Sequence, residues 1–280
     1  MDVSAITEVR PGPYAVFDRL ATHRDRPRFF VRTPGTAAAW TPITWGRFAA
    51  QIRGVARWLA EHRFAPGDRV AIFGANSVAW AAAAFGVQSA GGVFVPIYPA
   101  STPEQVGYIL EHAEIRFAFV GPELAAKLEL AQQSSRTDRI SDRSAARTEI
   151  TSRRVNPVGT RCQVVTLGDP AFAEAEARDA AAPEEVDRRL AALELDQPAM
   201  MLYTSGTSGN PKGVPLSHRN IGRNGADWLV CNAPLLADGD RDLLWLPMSH
   251  IFGFGEVCAG NLLGWETYLA TPADVMDLLP

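Results

Sequence analysis

Residues 202–214, LYTSGTSGNPKGV, combine hydroxyl groups, glycines and a single lysine in a pattern that suits phosphate binding. Eight of these thirteen residues are Gly, Ser, Thr or Pro. Glycine permits backbone angles that other residues avoid, so consecutive N–H groups can turn towards one anion. The hydroxyl groups add donors, and the ammonium of Lys212 adds a mobile positive charge that suits phosphate oxygens. The alternative is a solvent-exposed Gly/Ser hairpin, but the ordered repeat directly after an apolar strand favours a phosphate loop.

The spacing excludes the phosphate loop of the nucleotide hydrolases. That pattern requires a glycine, four further residues and then Gly-Lys-Ser/Thr, followed by a helix. After Gly206 and four further residues comes Pro211 in place of the required glycine, and Lys212 is followed by Gly213 and an extended segment.

His250 is the second candidate for chemistry. It follows a predicted strand, Asp242–Leu246, and a turn that contains Pro247, and a loop at the end of a strand can overlook a crevice. A histidine beside apolar residues is also a common structural group, and Phe252 nearby is equally suited to core packing.

Predicted strands and helices alternate along the chain, which favours an α/β fold with a mostly parallel sheet, or sheets, flanked by helices. The apolar spacing and turn signals predict helices at 44–62, 77–90 and 103–112, a helical stretch that ends near 195, and strands at 69–73, 93–96, 115–120, 162–167 and 199–204.

Residues 70–103 contain no charged side chain, yet Gly, Pro, Asn and Gln interrupt the run, so we expect a buried strand–helix–strand unit rather than a membrane span. Residues 133–161 carry seven arginines and three acidic residues with few large apolar side chains, and we expect a flexible basic loop there. A basic contact for a partner is the alternative interpretation of that segment.

Composition gives no case for a nucleic-acid or membrane partner. Acidic residues outnumber basic ones, 31 to 27, and the net charge is −4. The amino terminus has no apolar run of the secretory type, and three scattered cysteines suit a reducing compartment. We therefore expect a cytoplasmic protein, with no metal-binding group of residues in its sequence.

Three segments resemble the adenylate-forming enzymes, a family that includes acyl-CoA synthetases, aryl-CoA ligases, luciferases and peptide-synthetase adenylation domains. The first is YTSGTSGNPKGVPLSHRN at 203–220, which is similar to the family's signature loop. The second is PGDRVAIFGANSVAWAAAAFGVQSAGGVFVPIYP at 66–99, and the third is LLWLPMSHIFGFGE at 243–256. The segments stand in the family's order along almost the whole chain.

The resemblance implies a reaction in which the loop holds the β- and γ-phosphates of ATP while a carboxylate attacks the α-phosphorus. Mg²⁺ would bridge the phosphate oxygens, and coenzyme A would be the co-substrate that receives the acyl group as a thioester. The implied catalytic residues are Lys212 and His250. The implied phosphate contacts are Thr204, Ser205, Gly206, Thr207, Ser208, Gly209 and Lys212, and the implied acyl-site residues are His250, Phe252 and Gly253.

The order His250-Ile251-Phe252-Gly253 is nearer to the acid–thiol ligases than to other branches, and the resemblance is greatest to the long-chain fatty acyl-CoA synthetases. A fatty-acyl-AMP ligase or another adenylating enzyme is the alternative within the family.

The resemblance also implies that residues 1–280 form the incomplete amino-terminal large domain of such an enzyme. The segments that bind adenine, metal and ribose in the family, and the small carboxyl-terminal domain, have no counterpart here. We therefore expect the chain alone to be inactive. A non-catalytic fragment, or a binding protein that depends on a second chain for the missing motifs, is the alternative.

Overall fold

The computed structural model describes residues 8–33, 39–141, 162–204, 210–237 and 239–278, with the backbone alone over 134–141. Those residues form two β-sheets and the helices that cover them. The strands are β1 (Pro27–Arg32), β2 (Trp40–Thr44), β3 (Arg69–Phe73), β4 (Val93–Ile97), β5 (Phe117–Val120), β6 (Gln163–Thr166), β7 (Pro198–Thr204), β8 (Lys212–Ser217), β9 (Arg241–Leu244) and β10 (Glu266–Leu269). The helices are α1 (Tyr14–Phe17), α2 (Leu20–His23), α3 (Trp45–Glu61), α4 (Val78–Ser89), α5 (Pro103–His112), α6 (Ala125–Ser141), α7 (Pro170–Ala181), α8 (Glu184–Ala191), α9 (His218–Asn232), α10 (Ile251–Leu263) and α11 (Val275–Leu278).

The larger sheet has six strands in the order β6-β5-β3-β4-β7-β8. Strands β3 to β7 run parallel, and β8 returns antiparallel to β7 as the second arm of a hairpin. The smaller sheet has the order β2-β1-β10-β9, in which only the β1–β2 pair is antiparallel. The predicted α/β fold with mostly parallel sheets flanked by helices is confirmed.

The uncharged stretch of 70–103 is the buried unit β3–α4–β4. Every residue of β4 is buried, and so is nearly every residue of α4. This burial explains why the segment needs no charged side chain. Ser77 begins α4 by accepting a hydrogen bond from the backbone N–H of Trp80. None of the helices in the described residues combines the length and the apolar character needed to cross a membrane.

Most predicted elements lie within two residues of their observed bounds. Thr44 caps α3 as expected, its hydroxyl accepting from the N–H of Arg47. The helical stretch predicted to end near Leu195 is two helices, α7 and α8, because Pro183 interrupts it. Of the predicted basic loop at 133–161, the first part belongs to α6, which continues to Ser141, and residues 142–161 lie outside the described residues.

Helix α10 connects the two sheets. Its Phe254 is buried and contacts the rings of Trp80, Phe85 and Phe94 on α4 and β4, which belong to the larger sheet's side of the core. The helix itself follows β9 of the smaller sheet. Packing of α10 therefore fixes the start of the helix, and with it His250, relative to both sheets.

Candidate functional site

The predicted phosphate loop joins the two arms of the β7–β8 hairpin. Thr204, the last residue of β7, lies opposite Lys212, the first residue of β8, and both are exposed. Residues 205–209, which include the predicted contacts Ser205, Gly206, Thr207, Ser208 and Gly209, lie outside the described residues. The hairpin thus brings the two ends of the loop together, and the remaining contacts stay predictions.

The loop end of this hairpin contacts α5 through Tyr203. The Tyr203 hydroxyl lies 2.7 Å from Nδ1 of His112 on α5. Across the hairpin Tyr203 pairs with Gly213, and a Cβ placed on that glycine would lie 3.1 Å from the Tyr203 ring. Burial, with a smaller effect from Tyr108, raises the pKa of Tyr203 to about 12, so the hydroxyl stays protonated at neutral pH. Sequence reasoning missed this support for the register of Lys212.

A crevice of about 580 Å³ lies where the carboxyl ends of strands from both sheets meet, and we call it the inter-sheet crevice. Ligands of open α/β sheets bind at this edge. Its walls are formed largely by the segments that come directly after β3, β4, β9 and β10. They include Asn76, Tyr98, Trp245, Pro247, Ser249 and Thr271. Strand β7 pairs in parallel with β4, so the phosphate loop leaves the sheet at the same edge.

Asn76 connects the two sheets at this crevice by two hydrogen bonds. Its Nδ2 donates to the carbonyl of Leu246, and its Oδ1 accepts from the N–H of Met248, each at 2.8 Å. The segment it holds runs from β9 to His250, so Asn76 positions that segment against the larger sheet. In the sequence Asn76 is an ordinary turn residue after a strand, and only the structure identifies its partners.

His250 is the N-cap of α10. Its Nδ1 accepts a hydrogen bond from the N–H of Phe252 at 3.3 Å, and the two rings stack at 5.8 Å. Both side chains are exposed, Phe252 to 71%. Neither is among the residues that line the inter-sheet crevice, although Ser249, directly before His250, is. A common site for His250 and the phosphate loop therefore stays a prediction.

Gly253 lies in close contact with the backbone of the preceding turn and does not line the inter-sheet crevice. A Cβ on this residue would lie 2.3 Å from the carbonyl oxygen of Pro247 and 2.7 Å from that of Leu246. Only glycine allows the first turn of α10 to approach the turn before it this closely. Gly253 thus fixes the position of its neighbours His250 and Phe252.

A buried charged cluster holds α10 on the smaller sheet. Arg28, fully buried on β1, donates to Oδ1 of Asn261 at 2.8 Å and to the carbonyl of Val257 at 3.0 Å. Burial lowers its pKa to about 10. Burial likewise raises the pKa of Asp242, and raises that of the adjacent Glu256 to about 8, with further repulsion from Asp242. Both causes favour the protonated form of Glu256 in the folded protein.

Within the described residues, no three His, Cys, Asp or Glu side chains lie close enough together to hold a metal ion.

A family profile described as AMP-binding enzyme matches residues 16–279. The chain is 31% identical over 278 residues to the long-chain-fatty-acid–CoA ligase FadD15 of Mycobacterium bovis, which covers 96% of this chain and 43% of that protein. It is 29% identical over 231 residues to the long-chain-fatty-acid–AMP ligase FadD32 of Mycolicibacterium smegmatis, which covers 82% of this chain and 32% of that protein. The crystal structure of the inhibitor-bound N-terminal domain of FACL13 from Mycobacterium tuberculosis has the same fold, with a TM-score of 0.71 at 23% identity over 96% of this chain and 60% of that one.

The chain belongs to the AMP-binding enzyme family of adenylate-forming ligases, as the three sequence segments indicated. It spans less than half the length of the curated relatives named above.

Proposed function

We propose that this chain carries the triphosphate-binding and carboxylate-binding part of an AMP-forming acid–thiol ligase. Its substrates would be ATP, a fatty acid and coenzyme A, with Mg²⁺ held by the phosphates. The observation that carries this proposal is the β7–β8 hairpin, which sets Thr204 opposite Lys212 at the same sheet edge as the inter-sheet crevice.

The proposed reaction has two steps. A carboxylate oxygen bonds to the α-phosphorus of ATP while the bond to the pyrophosphate oxygen breaks, which gives acyl adenylate and pyrophosphate. The thiol sulfur of coenzyme A then bonds to the acyl carbon, its proton passes to solvent, and AMP leaves. Negative charge grows on the departing pyrophosphate, so the ammonium of Lys212 and the hydroxyl of Thr204 act where that charge accumulates.

His250 suits the carboxylate side of the reaction. Because its Nδ1 accepts the N–H of Phe252, a neutral ring carries its proton on Nε2 and presents a donor at the start of α10. The similarity to FadD15, a long-chain-fatty-acid–CoA ligase, supports a long-chain fatty acid as the carboxylate.

The experiment uses the fact that the chain has only two lysines, Lys127 and Lys212. Lys127 is half-buried and donates to the carbonyl of Pro99 at 2.7 Å, whereas Lys212 is exposed. An acyl-phosphate derivative of ATP, which transfers its acyl group to amines near the phosphates, should label Lys212 and leave Lys127 unmodified. Excess ATP should prevent the labelling, and AMP should prevent it poorly.

A binding measurement completes this test. Lys212→Ala should weaken ATP binding by about 5- to 150-fold, because it removes one charge-assisted contact to a phosphate. The same variant should weaken AMP binding much less. Arg223→Ala, which removes an exposed positive charge on α9, should change neither affinity. Equal losses for ATP and AMP in the Lys212 variant would refute the assignment.

A fatty-acyl-AMP ligase is the second candidate, and the likeness to FadD32 favours it. The two candidates differ in their product. A protein that contains this chain and forms acyl adenylate but no thioester with coenzyme A present would support the second candidate over the first.

A further inference from the structure

A second cavity, of about 430 Å³, lies away from the crevice, between the segment 8–19 and the helices α9 and α10. We call it the N-terminal pocket. Its apolar wall includes Ile221, Phe254, Cys258 and Leu262, and its charged rim includes Glu8, Arg10, Asp18 and Arg19. Two buried polar side chains, Gln88 and His218, also line it. The proposed ligase reaction gives neither polar side chain a role.

His218 presents one unpaired donor in this pocket. The side chain is only 2% exposed, and its Nδ1 accepts the N–H of Gly12 at 3.4 Å. Its Nε2 is buried without a hydrogen-bond partner in the described part of the chain. Burial lowers the pKa of His218 to about 4, so the ring is neutral at pH 7. With Nδ1 as the acceptor, the ring proton lies on Nε2 and is available to donate.

Gln88 presents an unpaired acceptor beside the same glycine. It is 1% exposed, and its Oε1 is buried with no partner among the residues that the structure describes. A Cβ placed on Gly12 would lie 3.0 Å from this oxygen. Gly12 therefore lies beside both polar side chains, so the unpaired donor and the unpaired acceptor flank the same residue of the pocket.

We propose that the N-terminal pocket binds an uncharged hydroxyl group carried on an aliphatic chain. The hydroxyl oxygen would accept from Nε2 of His218, and its proton would be donated to Oε1 of Gln88. A hydroxyl is suited to this pair because it is a donor and an acceptor at one atom. A carboxylate matches the pair less well, because it has no proton to donate to Oε1 of Gln88.

Two sources can provide this chemistry. One is an independent aliphatic alcohol. The other, which rests on the proposed function, is a hydroxyl near the far end of the carboxylate substrate itself. Phe254, Cys258 and Leu262 follow His250 at intervals of four residues, so they share one face of α10. Leu262 is about 18 Å along the helix from His250, a span that a long aliphatic chain can cover.

The first experiment compares two isomers by calorimetry, 1-octanol and 1-methoxyheptane. They have the same atoms, but the ether cannot donate a hydrogen bond. We expect the alcohol to bind the unmodified chain at least tenfold more tightly. In Gln88→Met, which keeps the length of the side chain and removes the acceptor, this preference should fall to within twofold.

Gln197→Met is the matched control. It makes the same replacement at another glutamine with a buried unpaired atom, one that does not line the pocket, and should keep the tenfold preference. Equal affinity for the two isomers in the unmodified chain would overturn the proposal without any variant. A preference that survives Gln88→Met would overturn it as well.

Binding of 12-hydroxydodecanoate and of dodecanoate distinguishes the two sources of the hydroxyl group. If the hydroxyl belongs to the substrate chain, 12-hydroxydodecanoate should bind more tightly than dodecanoate, and 1-octanol should compete with it. If the ligand is a separate alcohol, 1-octanol should bind without competing. Both results support the pocket, and both are independent of the Lys212 experiment, which tests only the phosphate loop.

Discussion

Replacement of Asn76 by alanine tests whether one side chain holds the His250 segment against the larger sheet. The variant removes the donor to the Leu246 carbonyl and the acceptor for the Met248 N–H, each bond measuring 2.8 Å. It leaves the carbonyl of half-buried Leu246 and the N–H of buried Met248 without these partners. The change removes a contact between segments about 170 residues apart in sequence, so no local hydrogen bond replaces it.

The magnitude follows from the two bonds. Each contributes about 1 kcal/mol net, and an unpaired backbone group in a half-buried position adds to the loss, so we expect about 2–4 kcal/mol off the free energy of unfolding. Asn232→Ala is the matched control, because Asn232 also donates to a carbonyl at 2.8 Å, but within α9 and in an exposed position. That variant should lose less than about 0.5 kcal/mol.

Urea unfolding gives the global loss, and hydrogen exchange of the Met248 amide reports on the segment itself. In Asn76→Ala we expect that amide to exchange at least about tenfold faster, the factor that corresponds to 1.4 kcal/mol. Unchanged exchange at Met248, together with a stability loss no greater than that of Asn232→Ala, would refute the positioning role.

Three further predictions concern the elements around the site. Arg53→Met leaves the buried carboxylate of Asp179 without its guanidinium partner; it should cost about 3 kcal/mol in urea unfolding, and adding Asp179→Leu should recover at least half of that loss. Glu256 has a folded pKa raised from 4.5 to about 8, so the folded state binds the proton more tightly and stability falls as pH rises through that window. Glu256→Gln should therefore gain stability relative to the unmodified chain between pH 5 and pH 8, and a constant difference would contradict the raised pKa. Gly253→Ala should lower the unfolding free energy by about 1–3 kcal/mol, because its Cβ meets backbone atoms, whereas Gly255→Ala, which meets nothing within 4 Å, should raise it by about 0.5–1 kcal/mol.

The elements of the larger sheet could be predicted because local signals agree with one another there. In the stretch from Arg69 to Ile97, a turn precedes an apolar strand, a serine caps the next helix, and a Gly-Gly pair precedes the following strand. Each signal acts within a few residues of the element it sets. Predictions of this kind need no knowledge of which segments meet.

The pairing of β1 with β10 and the role of Asn76 could not be predicted, because both join segments far apart in the sequence. Phe29 and Thr267 are partners in one sheet, and nothing in either strand specifies the other. The same limit applies to Gln88 and His218, which the fold brings to one glycine. An asparagine or a glutamine in the sequence indicates its donors and acceptors, but only the tertiary structure determines whether they are satisfied.

His250 has two roles: the structure shows that it caps α10, and we propose that it binds the carboxylate. One substitution separates the two roles. Asparagine is among the best N-cap residues, so His250→Asn should keep the cap on α10 and stay within about 0.5 kcal/mol of the unmodified chain, while His250→Ala loses about 1 kcal/mol. The asparagine side chain is shorter and has no counterpart of Nε2, so if that atom donates to the carboxylate, fatty-acid binding should fall about tenfold in both variants. Fatty-acid affinity in His250→Asn equal to that of the unmodified chain, with the cap intact, would leave His250 as a capping residue alone.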